Sequence, residues 1–147
     1  MGKKKQVKPV RTEVKRQVQM PILIEGRPHF RFEKIDRDGK FAFQLKRKDF
    51  RHDLVLEKIM EYSCMMWSEI ERQTHDDGKS KHHFLDNPNN LSKEAKERIK
   101  KLEIEDLTDA IFSFAFNNKL RIIGLRQGDY FYVLWYDPEH EVYPVKH

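Results

Sequence analysis

The chain contains a single cysteine, Cys64, which excludes an internal disulfide framework and any zinc site built from several cysteines. Long apolar runs are missing as well. No window approaches the roughly 20 apolar residues of a membrane span, and no apolar stretch of signal-peptide length follows the basic N-terminus. These absences predict a soluble protein in a reducing, cytoplasmic setting. The six glycines are scattered, so there is no glycine-rich phosphate loop, and neither a cysteine–histidine metal template nor an internal repeat occurs.

What the chain has in abundance is charge. Lys and Arg outnumber Asp and Glu by 29 to 24, for a net charge of +5 and a pI near 9.2. Such a balance favours polyanionic partners, because each neutralised phosphate releases condensed counterions. The excess is concentrated at the start, where residues 1–16 hold seven Lys or Arg against Glu13 alone. The remainder is nearly neutral, so any basic character of the folded part comes from local patches. Residues 1–19 are read as a flexible basic arm, either a solubilising terminus or a contact for nucleic acid, and residues 20–147 as a single α+β domain. At 147 residues the chain fits one domain and not two.

Periodicity predicts the elements. "HFRFEKIDRDGKFAFQLKRKDF" alternates with period two around Asp36–Gly39 and predicts a β-hairpin, with Phe30 and Phe32 on one face of its first strand and Phe41, Phe43 and Leu45 on one face of its second. From Asp53 to about Gln73 the period becomes helical, with Leu56, Ile59, Met60, Met66, Trp67 and Ile70 as its apolar stripe and Cys64 buried beside it. Ser92 is placed to cap a second helix carrying Ala95, Ile99 and Leu102 inward. Three β-rich runs, "AIFSFAF", "LRIIGLR" and "YFYVLWYD", separated by "NNK" and "QGD", predict an antiparallel meander whose last strand is interior. The expected architecture is an antiparallel sheet, hairpin plus meander, packed against two helices.

Three constellations carry candidate chemistry. The loop with His75, Asp76, Asp77, His82, His83 and Asp86 has the residue types of a metal site in a spacing that fits no zinc template; His82 and His83 also suit proton transfer near neutral pH, and a solvated loop is the plain alternative. Arg121 and Arg126 are five positions apart and point to opposite faces of a regular strand. In the tail "DPEHEVYP", Asp137 and Pro138 end the last strand, and His140 and Tyr143 either seal the sheet edge or present a proton donor or acceptor.

The segment "LRIIGLRQGDYFYVLWYDPEHEVYP" resembles the C-terminal half of small toxin nucleases of the RelE and ParE type, in which a β-meander ends in a His or Tyr followed by a short acidic and aromatic tail. The likeness spans at most residues 50–147; the N-terminal arm and hairpin, and the Asp-Pro before His140, depart from it. It implies metal-independent, cofactor-free RNA cleavage by attack of the 2′-hydroxyl on the adjacent phosphorus. His140 would be the acid or base, Arg121 the phosphate clamp and Tyr143 the group that positions or stacks on the base. Arg126, Lys96, Lys100, Lys101, His82 and His83 would hold the RNA. The implied partners are RNA, on the ribosome for the RelE type, and a protein antitoxin. Two rival readings stand beside it: a nucleic-acid-binding module without catalysis, and an interaction or accessory protein of a phage or mobile element using Tyr130, Tyr132 and Tyr136 as its interface.

Overall fold

A computed structural model of the chain describes residues 26–144; the basic arm lies outside the described residues. The meander forms as the β-rich runs and their short turns require, with β3 (Ile111–Ala115), β4 (Arg121–Gln127) and β5 (Tyr130–Asp137) pairing antiparallel in sequence. A two-residue strand, β2 (His83–Phe84), joins the edge of β3, and β1 (His29–Arg31) joins the edge of β5, giving the order β1-β5-β4-β3-β2.

Residues 29–45 depart from the expected hairpin. β1 runs parallel to β5, so the sheet is mixed and not wholly antiparallel. The second half of the supposed hairpin does not pair with β1 either: Ala42 bridges to Trp135, and the Tyr136 amide donates to the Phe41 carbonyl at 2.9 Å. Both halves therefore use the same edge of β5, one at each end. The faces differ as well, because Phe41 enters one core and Phe43 the other, while Leu45 is exposed.

The sheet is covered on both sides, which is why all five residues of β3 are buried. On one face α1 (His52–Ser63) and α2 (Trp67–Glu71) bring Val55, Tyr62, Trp67 and Ile70 against Phe112, Phe114 and Phe131. These were expected as one helix. The chain instead breaks at Cys64–Met66, where Met66 is extended and its amide takes the Glu69 side chain. α1 faces inward by Leu54, Val55, Ile59 and Tyr62, so Leu56 and Met60 are exposed, and Cys64 at the break is exposed and not the buried hydrophobe expected. On the other face lies α3 (Lys93–Lys101), capped by Ser92 Oγ accepting from the Ala95 amide at 3.2 Å. Ala95 and Ile99 pack there with Ile111, Ile123, Leu134 and Trp135.

A bulge adapts β5 to this two-sided core. Ile123 faces Trp135 and Gly124 faces Val133, which leaves Leu134 as an extra residue. Leu134 and Trp135 then both enter the α3-side core, while Val133 and Tyr136 enter the other. The free carbonyl of Leu134 accepts from the Asp36 amide at 3.0 Å. The Asp36 carboxylate, 2% exposed, in turn accepts from Arg98 at 2.8 and 2.9 Å and from Trp135 Nε1 at 2.9 Å. One carboxylate thus fastens the 36–43 segment, α3 and β5 together.

Removing it strands a buried indole N–H and a guanidinium at once. Asp36→Ala is expected to lower stability by about 3 kcal/mol in urea unfolding, and Trp135→Phe to do less harm by keeping the Arg98 pair. Gly124→Ala is expected to cost a similar amount, because the new Cβ would meet the Tyr132 backbone carbonyl and come within 2.7 Å of Phe131 Cζ.

Candidate active site

Beyond the aromatic part of the sheet, the start of β4, the end of β5 and the loop before β2 enclose a cleft of about 690 Å³. The loop owes its shape to local bonds. Thr74 bridges to Ser80, the His75 amide donates to the Lys79 carbonyl at 2.8 Å, Asp77 Oδ1 accepts from the Lys79 amide at 2.9 Å, and Gly78 supplies the positive φ of the turn. This small hairpin carries His75, Asp77, Lys79 and Lys81 to one wall.

Arg121 and Asn118 form the opposite wall, with His140 at its end. The β3–β4 connection is an Asx turn in which Asn117 Oδ1 accepts from the amides of Lys119 and Leu120 at 2.8 and 2.6 Å. Arg121 holds that turn from within, donating from Nη1 to the carbonyls of Asn117 and Leu120 at 2.9 and 3.2 Å and from Nη2 to Asn118 at 3.3 Å. The guanidinium is buried, and this burial lowers its pKa against the opposing pull of Asp137. It acts in the cleft chiefly as a fixed positive charge.

His140 reaches the cleft because the chain turns sharply after β5. The Asp137 carboxylate, fully buried, accepts from the amides of Glu141 and Val142, both at 2.8 Å. The turn places His140 in the left-handed region, with φ of 59°. Half-burial, with Arg121 and two further histidines nearby, lowers its pKa to about 4, so the imidazole is neutral at physiological pH and its lone pair is available. His83 faces the same cleft. Its Nδ1 donates to the Phe84 carbonyl at 2.9 Å, which leaves Nε2 as the atom free to exchange a proton.

The remaining residues singled out from the sequence fall elsewhere. His82 points the opposite way from His83, as neighbours on a strand must. It is buried beside Tyr62 and Phe114, accepts from the Ala115 amide at Nδ1 (3.0 Å) and meets Gln73 Oε1 through Nε2 (2.7 Å), which makes it a structural group. Tyr143 packs on the α3-side core and its hydroxyl accepts from the Asn87 amide at 3.1 Å, so it seals the tail and does not line the cleft. Arg126 lies on the other face of the sheet from Arg121, its guanidinium carbon 3.8 Å from the Trp67 ring and also near Phe84 and Phe112. Its Nη2 pairs with Glu71 at 3.2 Å. Lys96 and Lys100 edge a separate small hollow with Pro88 and Leu91, and Lys101 is exposed at the end of α3. Tyr136 is fully buried and forms no surface.

Sequence reasoning missed Lys79 and Lys81. Their only signal was position in the same polar loop as His75, and nothing local tells that this loop folds back on Arg121. Among the described residues no three or more His, Cys, Asp and Glu side chains gather as a set able to hold a metal ion. No family model, no curated protein and no solved structure matches the chain.

His82 gives the fold a pH dependence of definite sign. Burial drives its pKa to about 3, whereas the unfolded chain binds that proton near 6.5. Stability is therefore full above pH 6.5 and is lost as pH falls toward 3, at about 1.4 kcal/mol per pH unit. Melting temperature is expected to drop between pH 6.5 and 4, with a shallower drop in His82→Asn.

Proposed function

We propose that this cleft binds and cleaves RNA phosphodiesters, and that the protein is a metal-independent endoribonuclease of the toxin type. One observation carries the reading. Three histidines, His75, His83 and His140, share a single cleft with Arg121, Lys79 and Lys81, which combines proton-transfer groups with the positive charge a phosphate requires. Asp77 and Asp86 also line it and leave an excess of fixed positive charge.

The chemistry follows from the protonation state. Neutral His140 removes the proton of the 2′-hydroxyl. The freed oxygen forms a bond to phosphorus, the bond from phosphorus to the 5′-oxygen breaks, and His83 or His75, acting as the general acid, supplies the leaving oxygen with its proton. The product is a 2′,3′-cyclic phosphate and a 5′-hydroxyl. Lys79 and Lys81 neutralise the phosphate oxygens, and Arg121 adds its fixed charge while keeping the wall in shape. By the same resemblance that suggests the chemistry, the substrate is messenger RNA on the ribosome, with a protein antitoxin as its inhibitor.

Primer extension on a defined messenger RNA, with and without translating ribosomes, tests this directly. Discrete cuts are expected, and His140→Asn, which tolerates the left-handed backbone, should reduce them by roughly 10²–10⁴-fold without unfolding the protein. Intact RNA in every lane would contradict the reading. Because His140 must be unprotonated, the acid limb of kcat/KM that it sets is expected to lie near pH 4 and to be lost in His140→Asn, with folding checked at each pH.

A further inference from the structure

The opposite end of β5 carries a second surface. Tyr130 and Tyr132 lie on the same face of the sheet as α3, Tyr132 half-buried against the edge of that core, with ring centroids 6.1 Å apart and planes inclined by 29°. Tyr130 is 42% exposed, which is a large apolar area for an aromatic residue to leave in water. Cations flank both rings: the Arg31 guanidinium lies 6.0 Å from the Tyr130 centroid, and Lys34 Nζ lies 5.7 Å from that of Tyr132. Lys34 and Glu33 also border an open hollow of about 260 Å³ floored by Ile35, Leu102, Ile104, Leu125 and Leu134. Arg31 is partnered by exposed Glu33 at 2.6 Å, which fixes it beside the ring.

We infer that this face is a stacking platform for single-stranded RNA. A base stacks on Tyr130, whose ring half-buried Tyr132 backs, the hollow beside Lys34 takes the next base, and Arg31 and Lys34 meet the backbone phosphates. The occupant follows from the charge and shape of the surface. The exposed ring of Tyr130 offers a surface to a planar group of any base, and Lys34, beside the Arg31–Glu33 pair, supplies positive charge toward a polyanion. The seven Lys and Arg of residues 1–16 precede β1 in the chain, so the strand that joins this face is also the one attached to the most basic segment of the sequence. A duplex hides its base faces and would gain only the electrostatic part. The platform rests on the reading of the cleft as an RNA site and extends it to substrate capture. The two lie at opposite ends of β5, about 23 Å apart by strand rise, and are separable by mutation.

The test is fluorescence anisotropy of the full chain with a labelled 20-nucleotide single-stranded RNA and with its duplex, alongside cleavage of the dinucleotide uridylyl-adenosine. Tyr130→Ala is expected to weaken single-strand binding by about 5- to 150-fold, the range for losing one base–aromatic stack, and Tyr132→Ala to weaken it less, by removing the ring that backs Tyr130. Tyr130→Phe should retain binding, duplex binding should change far less, and dinucleotide cleavage should stay at the wild-type level. Lys34→Glu, at an exposed position, provides an arm that leaves the tyrosine packing in place, and should weaken binding and flatten its salt dependence. Wild-type single-strand affinity in all three disruptive variants would overturn the platform, as would a wild-type protein that does not bind the 20-mer. Tyrosine-dependent binding without cleavage of either free substrate would uphold the platform, and intact RNA in the ribosome-containing primer-extension lanes as well would remove the nuclease reading.

Discussion

The Asp36 carboxylate is where three parts of the molecule that are remote in sequence become one. It takes both Arg98 donors from α3 and the indole N–H from β5, while its own amide is held by the bulge at Leu134. A carboxylate this deeply buried is stable as an ion only when its lone pairs are filled by well-placed donors. That demand fixes position: α3 cannot slide along the sheet, nor the 36–43 segment detach from β5, without leaving a buried charge unpaired. The aromatic cores supply most of the cohesion, but they are tolerant of small shifts in a way that this bond set is not.

The same constraint reaches the cleft. β5 is pinned at Leu134 and Trp135 by the Asp36 contacts, and two residues later Asp137 turns the chain so that His140 faces Arg121. A buried charge lies on each side of this short stretch, Asp36 before it and Arg121 opposite its end. The helices cover the middle of the sheet, so polar side chains gather where that cover stops: the histidines and lysines at one end of β5, exposed Tyr130 and half-buried Tyr132 at the other. Capture of a strand at one end and phosphodiester chemistry at the other is the division of labour that the two surfaces suit.

Much of this was legible in the sequence. Three β-rich runs with turns of two or three residues can hardly do other than pair with their neighbours, and Ser92 ahead of an i, i+4 apolar pair announces the cap that is found. The N-terminal segment was not legible, because period-two alternation says which way side chains point and not which strand is the partner. Alternation places Phe41 and Phe43 on one face, yet the segment is not a regular strand beyond its single bridge at Ala42, and the two rings enter opposite cores. The break at Cys64–Met66 has no Gly or Pro to mark it and is imposed by packing on the sheet. Within the site, the opposite facing of Arg121 and Arg126 followed from strand geometry alone. The difference between His82 and His83 was available from the same rule once β2 was recognised, but two residues are too short a strand to read from pattern. The approach of Lys79 and Lys81 to His140 spans some sixty residues and is a product of the tertiary fold.

The central claim is that one phosphodiester sits between the lysine-bearing loop and His140. Its most direct measurement is a crystal structure of the protein soaked with a dinucleotide whose 2′-oxygen is methylated, so that attack is blocked. The account expects the phosphate against Lys79 and Lys81 on the Arg121 side of the cleft, with the 2′-oxygen within hydrogen-bond reach of the His140 imidazole. A dinucleotide bound elsewhere with the cleft empty, or a phosphate in the cleft with His140 turned away from the sugar, would contradict it.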